Sequence, residues 1–230
     1  MSNIHAPPDR CRLIVIASSA VLSDVSDADF ATMIADGDIA SIIFCNHGLE
    51  DNPFQAAIGS KVALAQERGI AAIIANNSRV AGRVQADGLQ LEPNPETIAD
   101  AMEKHAPRMM IGCANVKTRH AALTLGELQP DYLMFGRPGG DIRPEPHPKN
   151  LALANWWSTM VEIPCIVMGG SELASVIEVA QSGAEFVALE SAIFTSQDAS
   201  ELDATDIQKR IAKANQLLDE HAPPFESADP

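Results

Sequence analysis

Short apolar runs recur along the whole chain and predict eight β-strands. The runs are rich in Val, Ile and Leu and cover residues 13–17, 41–45, 72–75, 88–91, 109–113, 132–135, 165–168 and 186–189. They are apolar nearly throughout and do not alternate with polar positions, which is typical of strands buried on both faces.

Segments with helical spacing separate these strands, at residues 30–36, 54–68, 79–85, 95–105, 117–127, 151–160, 171–182 and 204–219. Alternation of strand and helix predicts a parallel sheet. Eight such units favour an α/β fold of the closed (β/α)₈ TIM barrel type. An open doubly wound sheet fits less well, because no glycine-rich dinucleotide loop follows the first strand. We expect one barrel domain over residues 1–220 and a disordered tail over residues 221–230.

The charge of the chain narrows the choice of partners. There are 16 Lys and Arg against 31 Asp and Glu, which gives a formal net charge of −15. Such a surface repels nucleic acid and anionic membranes. No apolar run approaches the roughly 20 residues of a membrane span, and the N-terminus lacks the apolar core of a secretory signal. We therefore predict a cytoplasmic protein that binds neither nucleic acid nor membrane.

Four cysteines stand in or beside the predicted strands: Cys11, Cys45, Cys113 and Cys165. They are far apart in the sequence and form no C-x-x-C pair, which argues against a zinc site. We expect reduced, buried thiols.

In a TIM barrel the chemistry lies on the loops that follow the strands, and the loops after strands seven and eight commonly bind phosphate. Gly169 and Gly170 follow strand seven and precede a predicted helix, while Ser191 and Ala192 open a short helical segment after strand eight. Backbone N–H groups of such loops can hold an anion, so these four residues are predicted to bind phosphate. The alternative is that the glycines only make a tight turn, and Glu190 beside Ser191 counts against an anion.

The loop after strand six, residues 136–149, is long and carries a cluster of basic residues. Arg137, Arg143 and Lys149 are the only arginines and lysines between residues 119 and 209. In so acidic a chain this clustering suggests contact with an anion, and Arg137 and Lys149 are candidate catalytic residues. A mobile, Pro-rich lid with solvated charges is the alternative interpretation.

The loops after strands two, three and four offer polar groups. We predict that Asn46, Asn76, Asn77 and, within strand four, Gln90 bind substrate. Histidine is the side chain ordinarily suited to proton transfer near neutral pH, so His47 is the candidate acid or base, and His147 in the strand-six loop is a second histidine of this kind. Glu92 is the one carboxylate in segments 46–48, 76–79 and 92–94, which follow these strands. A hard divalent cation usually takes several carboxylates, so we predict no metal site.

Several segments resemble the thiamine phosphate synthase family and its sister group, the thiazole tautomerases. Residues 86–91 (ADGLQL) are similar to the family's A-D-G-V-H-L segment, and residues 163–170 (IPCIVMGG) to I-P-V-V-A-I-G-G. Residues 110–113 (MIGC), 131–136 (DYLMFG) and 183–193 (GAEFVALESAI) match further segments in the same order. The similarity runs from about strand three to strand eight.

The resemblance implies a barrel, usually oligomeric, that joins hydroxymethylpyrimidine diphosphate to thiazole phosphate and releases pyrophosphate with the help of Mg²⁺. It also implies that Gly169, Gly170, Ser191 and Ala192 hold the thiazole phosphate. The sequence departs from the family in several of its ligands. Residues 44–48 (FCNHG) lack the family's Arg and Lys. Asn77 stands at or near the position of a metal-binding aspartate, and Ala114 replaces a serine. Where the tautomerases have a histidine, this chain has Arg137.

Three functions therefore remain open at the level of sequence. The first is thiamine biosynthesis by a family member with degenerate metal and pyrophosphate ligands. The second is non-catalytic binding of a phosphate ester such as thiazole phosphate or thiamine phosphate. The third is a barrel enzyme with altered chemistry, in which Arg137 and Lys149 clamp an anion and His47 moves a proton. In each case the partner is a phosphorylated small molecule, and a homo-oligomer is expected.

Overall fold

Eight parallel strands close into a barrel in the computed structural model, which describes residues 9–35, 37–194 and 202–225. The strands follow chain order around the barrel, and β8 closes it by pairing with β1, with Leu13 opposite Val187. The strands are β1 (Arg12–Ser18), β2 (Ile39–Cys45), β3 (Ala71–Ala75), β4 (Gly88–Leu91), β5 (Met110–Cys113), β6 (Tyr132–Phe135), β7 (Cys165–Met168) and β8 (Phe186–Leu189). The predicted TIM barrel is confirmed. Each strand begins and ends within two residues of the positions predicted for it.

Helices surround the barrel and connect its strands. Those in the described residues are α1 (Ser19–Leu22), α2 (Asp27–Met33), α3 (Asp51–Glu67), α4 (Ser78–Arg83), α5 (Pro95–His105), α6 (Arg119–Gly126), α7 (Pro148–Ser158), α8 (Ser175–Gln181), α9 (Ser191–Phe194) and α10 (Ala204–His221). Side-chain caps fix the first residue of several helices. At the start of α5, for example, the Oδ1 atom of Asn94 accepts the Thr97 N–H. The predicted helix at residues 30–36 ends on a residue outside the described part of the chain.

One predicted helix boundary is wrong in a way that affects the site. The pattern predicts a helix from residue 171, directly after the two glycines, but α8 begins at Ser175. The N–H groups of Ser171 and Glu172 donate to the carbonyl oxygens of Arg143 and Pro144 in the loop after β6. This contact with a distant loop replaces the first helical turn.

Apolar side chains fill the barrel in one layer and cover it in a second. The interior layer is made mainly of Ile, Met and Ala side chains from the strands, with Tyr132 among them. The outer layer joins the strands to the helices, and its buried rings are those of Phe30, Phe44, Phe54, Phe135 and Trp157. Burying both faces of each strand explains why the strand sequences are apolar throughout.

Acidic residues tie neighbouring strands together at the bottom of the barrel. Asp87, Asp131 and Glu185 each stand directly before an even-numbered strand. Each carboxylate accepts a backbone N–H from the first or second residue of the strand before it: Ala72 for Asp87, Ile111 for Asp131 and Cys165 for Glu185. The acids therefore secure strand ends far from the mouth and take no part in its chemistry.

The chain is ordered further toward its C-terminus than the sequence predicts. Helix α10 runs through His221, and Pro224 forms a bridge with Arg10. Phe225 donates its N–H to the Asp9 carbonyl and packs against the core. The tail predicted to be disordered from residue 221 is thus ordered to Phe225, because this aromatic side chain is partly buried. Residues 226–230 lie outside the described residues.

The four cysteines are free and buried, as the sequence predicts. Burial raises the pKa of the Cys11 and Cys113 thiols to about 12, which keeps them protonated and unreactive. In the described part of the chain, no helix has the length and apolar character needed to cross a membrane.

Candidate anion-binding site at the barrel mouth

Two cavities open at the carboxyl ends of the strands, where TIM barrels place their chemistry. One, of about 290 Å³, lies between the loops after β5 and β6 and the start of α7, and we call it the basic cavity. The other, of about 360 Å³, lies over the ends of β2, β3 and β4, and we call it the amide cavity. Arg137 lines both cavities, which therefore adjoin at this residue.

Three cationic side chains line the basic cavity: Lys117, Arg137 and Lys149. They come from the loop after β5, the loop after β6 and the first turn of α7. Among the residues that the structure describes, none of the three has a carboxylate partner within ion-pair distance. The chain has a net charge of −15, yet these three cations line one cavity without a carboxylate partner in the described residues. Because no charge on the protein neutralises them there, the cavity favours an anionic ligand.

Two local backbone features determine the shape of the basic cavity. Gly136 adopts a φ of +110°, and a Cβ at this position would overlap Met168. A glycine is therefore required where the chain leaves β6. His147 caps α7 through its Nδ1 atom, which accepts the Lys149 N–H at 3.2 Å. This cap fixes the turn that carries the Lys149 side chain.

Asparagines line the amide cavity, but their oxygens are engaged by the backbone. Asn46 Oδ1 accepts the Leu49 N–H at 2.9 Å, and Asn77 Oδ1 accepts the Val80 N–H at 2.9 Å. Asn76 has a φ of 54° and its Oδ1 accepts the Glu92 N–H at 3.1 Å. Each side chain thus shapes its own loop. That Asn46, Asn76 and Asn77 bind substrate stays a prediction. Their common position on the wall of one cavity supports it.

The residues of the mouth do not fit the Mg²⁺ ion that the family resemblance implies. Asn77 donates its Nδ2 to Asp51 at 2.7 Å, and Asp51 also faces Arg79 at 3.8 Å. Glu92 accepts the Asn115 amide at 3.0 Å. The described residues contain no group of three or more His, Cys, Asp or Glu side chains arranged around a common metal position. Because the carboxylates are few and already engaged, we derive no step that uses a metal.

The predicted phosphate-binding residues face the chain's own loop. Ser191 donates its N–H and its hydroxyl to the Asp141 carboxylate, both at 2.6 Å. Gly170 packs so tightly against Pro144 that a Cβ would overlap the Pro144 carbonyl. Gly169 donates its N–H to Ala188, and Ala192 is buried. In this conformation the loop after β6 therefore covers the surface predicted to bind phosphate. The prediction that Gly169, Gly170, Ser191 and Ala192 bind phosphate stays a prediction.

His47 and Gln90 lie away from both cavities. The His47 N–H donates to the Ser19 hydroxyl at 2.8 Å, and its imidazole lies on the Glu190 side of the mouth. Gln90 is 2% exposed, and its Oε1 accepts the Tyr132 hydroxyl at 3.2 Å inside the barrel. The Tyr132 ring covers Gly112, where a Cβ would overlap it. Gln90 therefore belongs to the barrel interior, and the structure does not bring it to the predicted substrate site.

The structure brings together only part of the predicted site. Arg137, Lys149 and Gly169 share the basic cavity, and Arg137 meets Asn46, Asn76 and Asn77 in the amide cavity. Sequence reasoning missed two residues. Lys117 completes the cationic wall, and its position in a loop after a strand is the signal that would have found it. Asp141 is 5% exposed, and no local pattern predicts its burial.

Glu190 is half-buried beside this loop, and its Oε2 accepts the Gly139 N–H at 2.5 Å. Burial raises the pKa of Glu190; the Gly139 N–H and His47 oppose the rise, and the Asp141 carboxylate adds to it. A carboxyl whose pKa is raised by folding destabilises the fold when it is ionised. That cost is absent in acid, appears as pH rises through the raised pKa, and is fully present above it.

Glu190→Gln is therefore expected to raise the melting temperature at pH 7–8, with the gain disappearing as the pH falls below the ordinary range of a carboxyl. Thermal unfolding followed by circular dichroism across pH measures this. Glu162→Gln, at an exposed carboxylate in the loop after α7, is the control and is expected to give no comparable gain. Lower stability of Glu190→Gln at pH 7–8 would contradict the account and show that the Gly139 contact depends on the charge.

The fold and the mouth together define a TIM barrel with a cationic mouth, a class that commonly acts on phosphorylated small molecules. A sequence model of the thiamine monophosphate synthase family matches residues 13–193, and the chain belongs to this family. The family resemblance predicted from the sequence is thereby confirmed.

Individual relatives agree with this assignment. The chain is 27% identical over 205 residues to a thiamine-phosphate synthase of Hyphomonas neptunium, covering 86% of this chain and 92% of the relative. It is 31% identical over 160 residues to that of Pyrococcus horikoshii, covering 67% of this chain and 73% of the relative.

Solved structures share the fold. A thiamine phosphate pyrophosphorylase from Pyrococcus furiosus superposes with a TM-score of 0.69 at 22% identity, covering 90% of this chain and 98% of the other. Tryptophan synthase of Mycobacterium tuberculosis superposes with a TM-score of 0.68 at 15% identity, covering 91% and 93%. At these identities the structures show the common barrel.

Proposed function

We propose that this chain acts in thiamine biosynthesis and forms thiamine phosphate from hydroxymethylpyrimidine diphosphate and thiazole phosphate. Family membership supports the pathway, and the relatives are named thiamine-phosphate synthases. The observation that carries the proposal is the basic cavity, in which Lys117, Arg137 and Lys149 converge without carboxylate partners among the described residues. A diphosphate, with its several charged oxygens, is an anion that such a cluster of cations can bind.

The cations would act on the leaving group of this reaction. The bond between the pyrimidine methylene carbon and the diphosphate oxygen breaks, pyrophosphate leaves with the electron pair, and a new bond joins that carbon to the thiazole nitrogen. Negative charge grows on the pyrophosphate as its bond breaks. Arg137 can bind two phosphate oxygens at once, while Lys117 and Lys149 supply point charges. Fixed cations around the departing pyrophosphate would stabilise its growing charge and so lower the activation free energy of this step.

The amide cavity would hold the organic part of a substrate. It adjoins the basic cavity at Arg137, so a ligand whose diphosphate lies beside Arg137 can extend over the ends of β2 and β3. Asn76 is exposed there and is the side chain best placed to meet it. His47, on neither cavity, is given no proton-transfer role.

A second function, binding of a phosphate ester without turnover, is favoured by a separate observation. The oxygens of Asn77 and Glu92 that would ligate a metal already accept hydrogen bonds from protein donors. The Asp141 carboxylate likewise accepts the Ser191 N–H, which is then not available to a phosphate. A protein of this kind would bind thiazole phosphate or thiamine phosphate as a sensor or a partner subunit.

Two assays on one preparation separate these functions. The purified chain is incubated with both substrates, with and without Mg²⁺, and thiamine phosphate is quantified by chromatography. In parallel, calorimetry measures binding of pyrophosphate and of thiamine phosphate. Product above background supports the synthase. Binding without product rejects the synthase in favour of the second function, and absence of both rejects the two proposals together.

We also propose that the protein resides in the cytoplasm and assembles as a homo-oligomer. The biosynthetic role of its relatives supports the first, and the usual assembly of the family supports the second. Light scattering coupled to gel filtration tests the assembly. A mass equal to the 24.5 kDa of one chain would contradict it.

A further inference from the structure

The loop after β6 carries a segment, residues 139–145, that lies across the ends of β7 and β8, and we call it the strap. Its contacts reach two separate places. Asp141 binds Ser191 after β8, while the carbonyls of Arg143 and Pro144 accept the N–H groups of Ser171 and Glu172 after β7. Glu190 accepts the Gly139 N–H at the other end of the strap. The strap thus closes the surface that the family resemblance assigns to a phosphate.

Asp141 is the central contact of the strap. Its side chain is 5% exposed, and both of its hydrogen bonds through Oδ2 come from one residue, the N–H and hydroxyl of Ser191 at 2.6 Å. No Lys, Arg or His of the described residues pairs with this carboxylate. A buried carboxylate without a cation is held weakly compared with an ion pair, because two neutral donors must offset its loss of water.

A like charge opposes closure of the strap. The Glu190 carboxylate lies close enough to Asp141 for the two to interact, and the strap holds both acids on the same side of the mouth. Closure therefore brings two carboxylates together in a partly buried place, which costs free energy. An open strap would relieve this repulsion.

The strap also connects the closed surface to the basic cavity. Arg137 stands two residues before its first residue, Gly139, whose φ of +68° makes it a natural pivot. Gly140 donates its N–H to the Arg137 carbonyl at 3.0 Å. Movement of the strap would therefore shift Arg137 and change both cavities that it lines.

We propose that the strap is an autoinhibitory contact, in which the Asp141 carboxylate occupies the donors of Ser191 until a phosphate monoester displaces it. The inference rests on the proposed function, which supplies the phosphate monoester as a substrate. A phosphate oxygen and a carboxylate oxygen compete for the same N–H and hydroxyl donors. A phosphate also has enough oxygens to take the Ser171 and Glu172 N–H groups that the strap releases, which offsets its repulsion from Glu190, and the protein then gains a second anion-binding surface.

The experiment compares Asp141→Ala and Asp141→Asn with the wild type and with Ile142→Ala as a matched control. Ile142 neighbours Asp141 but is 84% exposed, so its loss should leave the strap closed. Hydrogen–deuterium exchange reports on the amides of Ser171 and Ser191, and calorimetry with inorganic phosphate reports on the freed donors. We expect at least tenfold faster exchange at both amides and at least tenfold tighter phosphate binding in Asp141→Ala. Asp141→Asn keeps an acceptor for the Ser191 donors and removes the repulsion from Glu190, so it should stay close to the wild type.

Gly170→Ala opens the strap from the opposite side and guards against a folding defect of the Asp141 variants. A Cβ at Gly170 overlaps the Pro144 backbone, so Ser171 exchange should also rise in this variant. Unchanged amide exchange and phosphate affinity in Asp141→Ala, together with unchanged Ser171 exchange in Gly170→Ala, would overturn the strap proposal if both variants fold. Thiamine phosphate formation by the wild type would then leave the proposed function standing. If Asp141→Ala binds phosphate more tightly while no preparation makes thiamine phosphate, the strap stands and the synthase fails.

Discussion

Arg137→Ala is expected to lower the rate of thiamine phosphate formation by about 10²-fold, the usual loss for one preorganised charge contact to a developing anion. Arg137 lines both cavities, and no carboxylate of the described residues pairs with it. Its guanidinium is therefore available to a ligand in either place. Because the Arg137 side chain is exposed, stability should hardly change.

Steady-state turnover of both substrates measures this effect, with Arg143→Ala as the matched control. Arg143 belongs to the same loop, is exposed, and lines neither cavity. Only its backbone carbonyl contacts Ser171, and an alanine keeps that carbonyl. Arg137→Lys should lie between the wild type and alanine, because it retains charge but loses the bidentate geometry. Equal losses of turnover rate in Arg137→Ala and Arg143→Ala would contradict the specific role of Arg137. They would show that turnover depends only on the total charge of the loop.

Trp157→Ala is expected to destabilise the fold by about 3–5 kcal/mol, the usual cost of removing a large buried aromatic side chain. Trp157 is 1% exposed, and its ring packs edge-on against Phe135 with centroids 6.3 Å apart. Its Nε1 donates to the Ile163 carbonyl at 2.7 Å. The substitution therefore opens a cavity between α7 and β6 and also leaves a carbonyl without its donor.

Urea unfolding at equilibrium measures this loss, and Trp156→Ala is the control on the neighbouring position. Trp156 is half-buried and stacks under the Arg119 guanidinium at 5.0 Å. Its ring also meets Trp157 edge-on, with centroids 5.8 Å apart. Because Trp156 is only half-buried and its cation–π pair contributes about 0.5–1 kcal/mol, the control should lose less than Trp157→Ala. A loss of under about 1 kcal/mol for Trp157→Ala would contradict the packing described, since large buried side chains cost more.

The barrel could be predicted because its strands carry their own signal. Each is buried on both faces, and the resulting apolar runs are visible in the sequence without reference to other elements. The start of α8 could not be predicted in this way. The N–H groups of Ser171 and Glu172 bond to a loop almost 30 residues earlier, and no local pattern contains that contact.

The candidate site was predictable where charge revealed it. Arg137 and Lys149 stand out because basic residues are scarce in this chain, and the structure places both in one cavity. Asp141 did not stand out, because a polar residue in a Pro- and Gly-rich loop is ordinarily exposed. Its burial depends on Ser191, 50 residues later. Gln90 looked available for substrate, but its position in β4 points it into the barrel, where Tyr132 meets it.

The central claim is that the basic cavity holds an anion through Lys117, Arg137 and Lys149. Titration calorimetry with pyrophosphate, without added metal, tests it most directly on the wild type and on a Lys117→Ala/Lys149→Ala double variant. The account predicts one saturable site in the wild type and at least tenfold weaker binding in the double variant. Equal affinity in both proteins, or no saturable binding to the wild type, would contradict it.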